Sequence, residues 1–167
     1  KVAKNYGALV PFLRPKKLSK DLTTTEDTLK HALLTYEKMI NKKFNIAVFL
    51  TCTDIFRDHK WITKAVKILK KKPSVQSVFA GYKTHKNYWE KNKKGEWIRL
   101  KNWMAVYKSR QIRKSVVRED TGLSCASRAY LWRKGKRIGN KVEIIVHEND
   151  FSFIDILIFV FSNLSKI

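Results

Sequence analysis

Acidic residues are scarce in this chain. Fourteen Asp and Glu stand against 36 Lys and Arg, a formal net charge of +22. Such an excess points first to an acidic partner, because clustered cations neutralise phosphates. Cysteine is scarcer still. Cys52 and Cys125 lie in apolar contexts, neither has a second Cys or a His at metal-ligand spacing, and both read as small buried residues in a reducing cytosol. Repeats and low-complexity blocks are missing. The apolar burst at residues 157–161 is too short to cross a bilayer, which takes about 20 residues, so it reads as a terminal core strand or buried helix. No secretory signal is visible, and the chain starts at Lys1 in what reads as the tail of a helix, so an upstream segment is expected.

What is present suits one folded domain. The 167 residues are 44% hydrophobic and 12% aromatic, enough for a real core. The cations divide unevenly: nine are arginines, leaving 27 lysines scattered through almost every segment. Dispersed lysines read as a solvated surface. The arginines fall in or beside motifs and are the better functional candidates, so nucleic acid is not the expected partner.

Periodicity supplies the elements. Thr23 with Glu26 reads as a capping box opening a helix whose apolar stripe (Leu29, Ala32, Leu33, Tyr36, Ile40) runs to Asn41. Residues 46–50 form an apolar run of strand length that ends in Thr51-Cys52-Thr53-Asp54-Ile55-Phe56-Arg57. Helix-period apolar positions follow at Trp61, Ile62, Ala65, Val66, Ile68 and Leu69. Residues 75–82 read as a second core strand, with further strands at 122–127 and 142–146 and a short helix at 128–133. This α, β, α, β alternation predicts an α/β fold with a mostly parallel sheet and helices on both faces. Between them, residues 83–135 read as an excursion in which tryptophans and tyrosines alternate with lysines. Such a segment packs under a loop or at a subunit interface, or stacks the bases of single-stranded nucleic acid.

In open α/β sheets ligands collect at strand carboxyl ends, so the 51–57 loop is the first candidate site. Arg14 follows a strand-like run, and residues 21–25 lead with hydroxyls into a helix N-terminus, an anion-favouring position. Thr51, Thr53 and Arg57 open the next helix. Arg110, Gln111 and Arg118 offer guanidiniums for bidentate capture of a carboxylate. Asp155, alone in an apolar run, is a hard oxygen donor suited to Mg²⁺ beside a phosphate. Each has a plainer reading: Arg14 and Arg57 pairing with Asp21 and Asp58, the threonines capping, Asp155 capping or forming a turn.

These residues also carry a resemblance. Tyr6-Gly7-Ala8-Leu9-Val10-Pro11-Phe12-Leu13-Arg14-Pro15, followed by Leu18, Asp21, Thr25, Asp27 and His31-Ala32, resembles the Y-G-A-x-V-P-F-L-R-P segment and its sequel in the acylneuraminate cytidylyltransferases. These are the CMP-sialic acid and CMP-nonulosonic acid synthetases. Residues 50–57 are similar to the family's L-Q-P-T-S-P-L-R loop, with Thr51 replacing Gln and Asp54-Ile55-Phe56 replacing S-P-L. Arg110-Gln111 and Arg118-Glu119-Asp120-Thr121-Gly122 resemble its R-Q and R-E-N-G segments. Ile154-Asp155-Ile156 continues in order.

The resemblance implies a Rossmann-like nucleotidyltransferase whose first βα unit is missing, with residues 83–135 as a sugar-binding and dimerisation excursion. It implies transfer of CMP from CTP to a nonulosonic acid with release of pyrophosphate, using Mg²⁺ held by Asp155, in a cytoplasmic homodimer with no membrane association. Arg14 and Arg57 would be catalytic. Thr25, Thr51, Arg110, Gln111, Arg118 and Asp120 would bind substrate. The family's Gly-rich triphosphate loop would precede Lys1, so the chain reads as a fragment with weak or no turnover. The 157–161 run stands where the family continues with acidic residues, which suggests a frameshift after Ile156. The competing expectations are a basic nucleic-acid-binding module and a sugar nucleotidyltransferase using another nucleotide.

Overall fold

A computed structural model describes residues 2–109 and 111–148. Arg110, Asp155 and the 157–161 run lie outside the described residues.

The chain opens with a short helix, α1 (Val2–Asn5), followed by a loop and then α2 (Thr25–Ile40). Strand β1 (Ile46–Phe49), helix α3 (His59–Lys71) and strand β2 (Ser77–Thr84) come next. A hairpin of β3 (Trp89–Lys91) and β4 (Trp97–Arg99) forms a separate two-stranded sheet. The chain then returns through β5 (Val116–Glu119), β6 (Cys125–Arg128), α4 (Ala129–Arg133) and β7 (Val142–His147).

The two long helices carry their own boundary signals. At the start of α2 the cap is Thr24, not Thr23: its hydroxyl accepts from the Asp27 amide at 3.1 Å and donates to the Asp27 carboxylate at 2.7 Å. The helix ends at Asn41 in the left-handed conformation, φ 49°. Asp58 caps α3 by accepting from the Lys60 amide at 2.8 Å, and Lys70 and Lys71 complement the dipole in its last turn.

The expected parallel, Rossmann-like sheet is not what forms. β6 pairs antiparallel with β1 on one side and with β2 on the other, and β5 also pairs antiparallel with β2. The parallel contact is between β2 and β7. Alternating helices and strands predicted that β1 and β2 would be neighbours. Instead a later segment inserts between them, and β1 and β2 run in the same direction because each opposes β6. Hydrophobic periodicity reports which residues are buried; it does not name a strand's partner.

Both faces of this sheet are covered over β1 and β6. Ile46 and Val48 face α3, which buries Ala65 and Leu69 completely against Val78, Ala126 and Ile145. The alternate residues, Ala47 and Phe49, face a second cluster of Leu33 from α2 with Ala129, Leu131 and Trp132 from α4. Burying a leucine such as Leu69 contributes about 1.5–3 kcal/mol, so α3 fixes the sheet more firmly than any surface ion pair does.

The second cluster is closed by a charge pair of buried Glu37 and half-buried Arg133. Arg133 donates to both carboxylate oxygens of Glu37, at 3.0 and 2.6 Å, and to the Phe44 carbonyl at 2.7 Å, while the Phe44 amide donates to Glu37 at 2.8 Å. The Arg133 hydrogen bonds hold the Glu37 carboxyl below its ordinary value. Its stabilisation is therefore present above the unfolded-state value of 4.5 and is lost as pH falls through the lower folded value. Replacing Glu37 by Gln is expected to cost about 1–3 kcal/mol at neutral pH, because Arg133 loses its carboxylate and keeps only the Phe44 carbonyl. Urea denaturation would show this gap narrowing below pH 4.5; a constant gap would contradict it.

Candidate functional site at the strand carboxyl ends

β1, β2 and β7 point the same way, so their carboxyl ends share one edge of the sheet. Two loops meet there. One is the 51–57 loop after β1. The other is squeezed out between β5 and β6: the Ala80 amide donates to Ser124 at 2.9 Å and the Ala80 carbonyl accepts from Asp120 at 3.0 Å, so Thr121, Gly122 and Leu123 bulge away from a single residue of β2.

Arg57 joins the loops. Its Nε donates to the Leu123 carbonyl at 2.7 Å, and its Nη2 donates to Gly122 at 2.9 Å and also to Thr51. The Thr51 amide donates to Gly122 at 3.0 Å, and the Thr51 hydroxyl donates to Asp54. Gly122 sits tight against this contact, since a Cβ there would lie 2.0 Å from Asp54 Oδ2 and 2.6 Å from Thr51 Oγ1 and both side chains would have to move. Arg57 therefore acts as a positioning residue, and the surface pairing with Asp58 does not form because Asp58 caps α3.

Beside the loops, on the α3 face, lies a cluster of charge and aromatic rings. Arg118 grips Asp120 with Nε at 2.6 Å and Nη2 at 3.1 Å, and lies 5.5 Å over the Tyr82 ring. His147 Nε2 is 3.6 Å from the same carboxylate. The His147 ring stacks on Trp61 at 4.5 Å, and its two nitrogens have no hydrogen-bond partner among the described residues. Burial pushes the His147 pKa down, with Asp120 opposing and Arg118 assisting the shift. Asp120 therefore lies against both the Arg118 guanidinium and the His147 ring.

No protein-family model and no curated protein matches the chain.

The other expected site residues are dispersed. Arg14 is exposed, and its Nε donates to Ser19 at 3.1 Å within its own loop, not to Asp21. That loop reaches α2 through Phe12, whose ring meets His31 edge-on at 5.9 Å. Thr25 begins α2 and does not cap it. Next to it Glu26 meets Arg137 at 3.5 Å; Arg137 approaches Glu119 at 3.9 Å and lies 5.6 Å over Phe49, on the sheet face opposite His147. Gln111 is exposed in a turn, while Arg110 and Asp155 are outside the described residues. Among the described residues no three His, Cys, Asp or Glu side chains gather to hold a metal. Cys125 is buried, its thiol pushed up to about 11 by desolvation, whereas Cys52 is exposed and departs from the buried reading.

Sequence reasoning passed over His147, Trp61, Tyr82 and Arg137. One signal was available: His147 continues the period-2 positions of β7 that place Ile145 in the core.

Gly122→Ala is expected to destabilise the protein by about 1–3 kcal/mol through this steric conflict and to raise protease cleavage within residues 51–57; unchanged stability would show that the loops do not touch. For His147, the lowered folded pKa means the unfolded chain binds the proton more readily, so stability falls as pH drops from 6.5 toward the folded value. His147→Asn is expected to flatten that slope in denaturation series across this window.

Proposed function

We propose that this chain belongs to a sugar-nucleotide synthetase of the cytidylyltransferase type, joining CMP from CTP to a nonulosonic acid with release of pyrophosphate. The observation that carries the reading is the convergence of the 51–57 and 120–124 loops on the shared edge of β1, β2 and β7, together with the Tyr6-to-Pro15 segment and its ordered sequel. The loop pair held by Arg57 lies beside the Arg118–Asp120 pair. That suits binding of an anionic, hydroxyl-rich sugar acid.

In this reading the chain's part in the reaction is positioning and neutralisation of charge. The sugar's anomeric hydroxyl attacks the α-phosphorus in line, its O–P bond forming as the bond to pyrophosphate breaks. Arg57 fixes the loop, and Thr51 and Arg118 face the sugar acid. Arg110 and Gln111 belong to the sugar side. Mg²⁺, the expected cofactor, would be held through Asp155. The protein would work in the cytoplasm as a homodimer contacting its partner through exposed Val106 and Ile112 of the excursion. No helix among the described residues is long and apolar enough to cross a membrane.

The test is calorimetric titration of the chain with CTP, a CMP-nonulosonate and free nonulosonic acids. A dissociation constant between about 1 μM and 1 mM is expected for at least one of them, weakened about tenfold or more by Arg57→Gln because the loop loses its tie. Absence of binding by every cytidine nucleotide and sugar acid would overturn the reading.

A further inference from the structure

The β3–β4 hairpin sorts its side chains in a way that the linear sequence conceals. Trp89 pairs with Arg99 and Lys91 pairs with Trp97. Paired residues point to the same face, and so do residues two apart, so Trp89, Lys91, Trp97 and Arg99 all project from one side of the ribbon. Arg99 lies 4.3 Å over the Trp89 ring and Lys91 lies 5.1 Å over the Trp97 ring. Each indole therefore has a cation across one face, yet Trp89 is 46% and Trp97 63% exposed. The two indoles are one diagonal step apart, about 7–8 Å between backbones.

The surroundings set the sign of the partner. Residues 83–118 carry twelve lysines and arginines against two acids, Glu90 and Glu96. Glu90 projects from the opposite face of the ribbon, and the Glu96 carboxylate accepts from Asn92 at 2.8 Å in the turn. Neither acid of this segment thus lies on the quartet's face. A second copy of the same surface would bring like charges together, which costs free energy. A membrane-inserting hairpin would carry its aromatic residues at the tip, whereas this tip is Asn92-Lys93-Lys94-Gly95-Glu96.

From the single-sided quartet and its charge we infer that the hairpin binds single-stranded nucleic acid, bases stacking on Trp89 and Trp97 while Lys91 and Arg99 neutralise the flanking phosphates. Stacking on two indoles is tolerant of sequence, and the cations make the affinity salt-dependent. This activity goes beyond the sugar-nucleotide reading and uses none of the residues assigned to it.

Fluorescence anisotropy of the whole chain with a labelled oligothymidylate tests it, alongside an abasic strand of equal length and charge. The oligothymidylate is expected to bind about tenfold or more tightly than the abasic strand, to quench tryptophan emission and to weaken steeply as salt rises. The double variant Trp89→Ala/Trp97→Ala should bind both strands alike. The double variant Trp89→Phe/Trp97→Phe, which keeps flat rings in the ribbon, should recover most of the difference. Saturating CTP should leave strand binding unchanged. Equal binding of the two strands by the unaltered chain, equal loss in the Ala and Phe variants, or displacement of the strand by CTP would each overturn the inference. So would tryptophans shielded by self-association or by anionic vesicles, with no strand bound.

Discussion

Loop carbonyls at the ends of buried elements need donors, and in this protein arginine supplies them. Arg57 reaches the carbonyls of Thr51, Gly122 and Leu123. Arg128 reaches those of Leu69, Val75 and Lys72 where α3 turns toward β2. Arg133 joins Phe44 to Glu37 beside α4. A guanidinium offers five donors in a rigid fork, so one side chain satisfies several backbone acceptors that would otherwise be buried without partners. Lysine has the charge without the fork. The uneven division of cations in the composition thus acquires a structural meaning: lysines cover the outside, and several arginines hold the chain's crossings together.

A smaller network does the same for the turn after α4. The Gly139 amide donates to Ser77 at 3.0 Å, Ser77 and Ser127 share a hydrogen bond of 2.8 Å, and Ser127 donates to the Arg137 carbonyl at 2.7 Å. Every hydroxyl in that buried chain is used. By holding the backbone at Arg137, the network brings the Arg137 side chain between Glu26 and Glu119, so core polarity on one side of the sheet determines where a surface charge is placed.

Much of the fold was legible from periodicity and caps. α2, α3, β1, β2 and β7 lie within a few residues of their expected bounds, because amphipathic spacing and Asp58 or Asn41 at the ends are local signals. The sheet order was not legible. The placement of β6 depends on packing between residues far apart in sequence, and an apolar run such as 46–50 looks the same beside a parallel or an antiparallel neighbour. The candidate site divided in the same way. Thr51, Arg57 and Arg118 were singled out from residue type and Asp120 through the resemblance; the structure brings Thr51, Arg57 and Asp120 to two adjoining loops, with Arg118 next to Asp120 on β5. Their roles were less predictable: a guanidinium that binds phosphate and one that binds carbonyls have identical neighbours in sequence. His147 was overlooked for the same reason, since its contacts with Trp61 and Asp120 arise only when β7 and α3 pack.

The loop between β5 and β6 leaves and rejoins the sheet at the same residue, Ala80, which is bonded to Asp120 on one side and to Ser124 on the other. Strand register on either side is therefore anchored before and after the bulge, independently of how many residues it contains. The bulge has contacts of its own: Leu123 and Thr121 are buried and the Gly122 and Leu123 carbonyls accept from Arg57, so a change at 121–123 disturbs the 51–57 loop while the cross-strand partners in β5, β6 and β2 stay in place. The rim of the candidate site and the sheet that carries it are thus held by separate sets of contacts, one through Arg57 and one through Ala80.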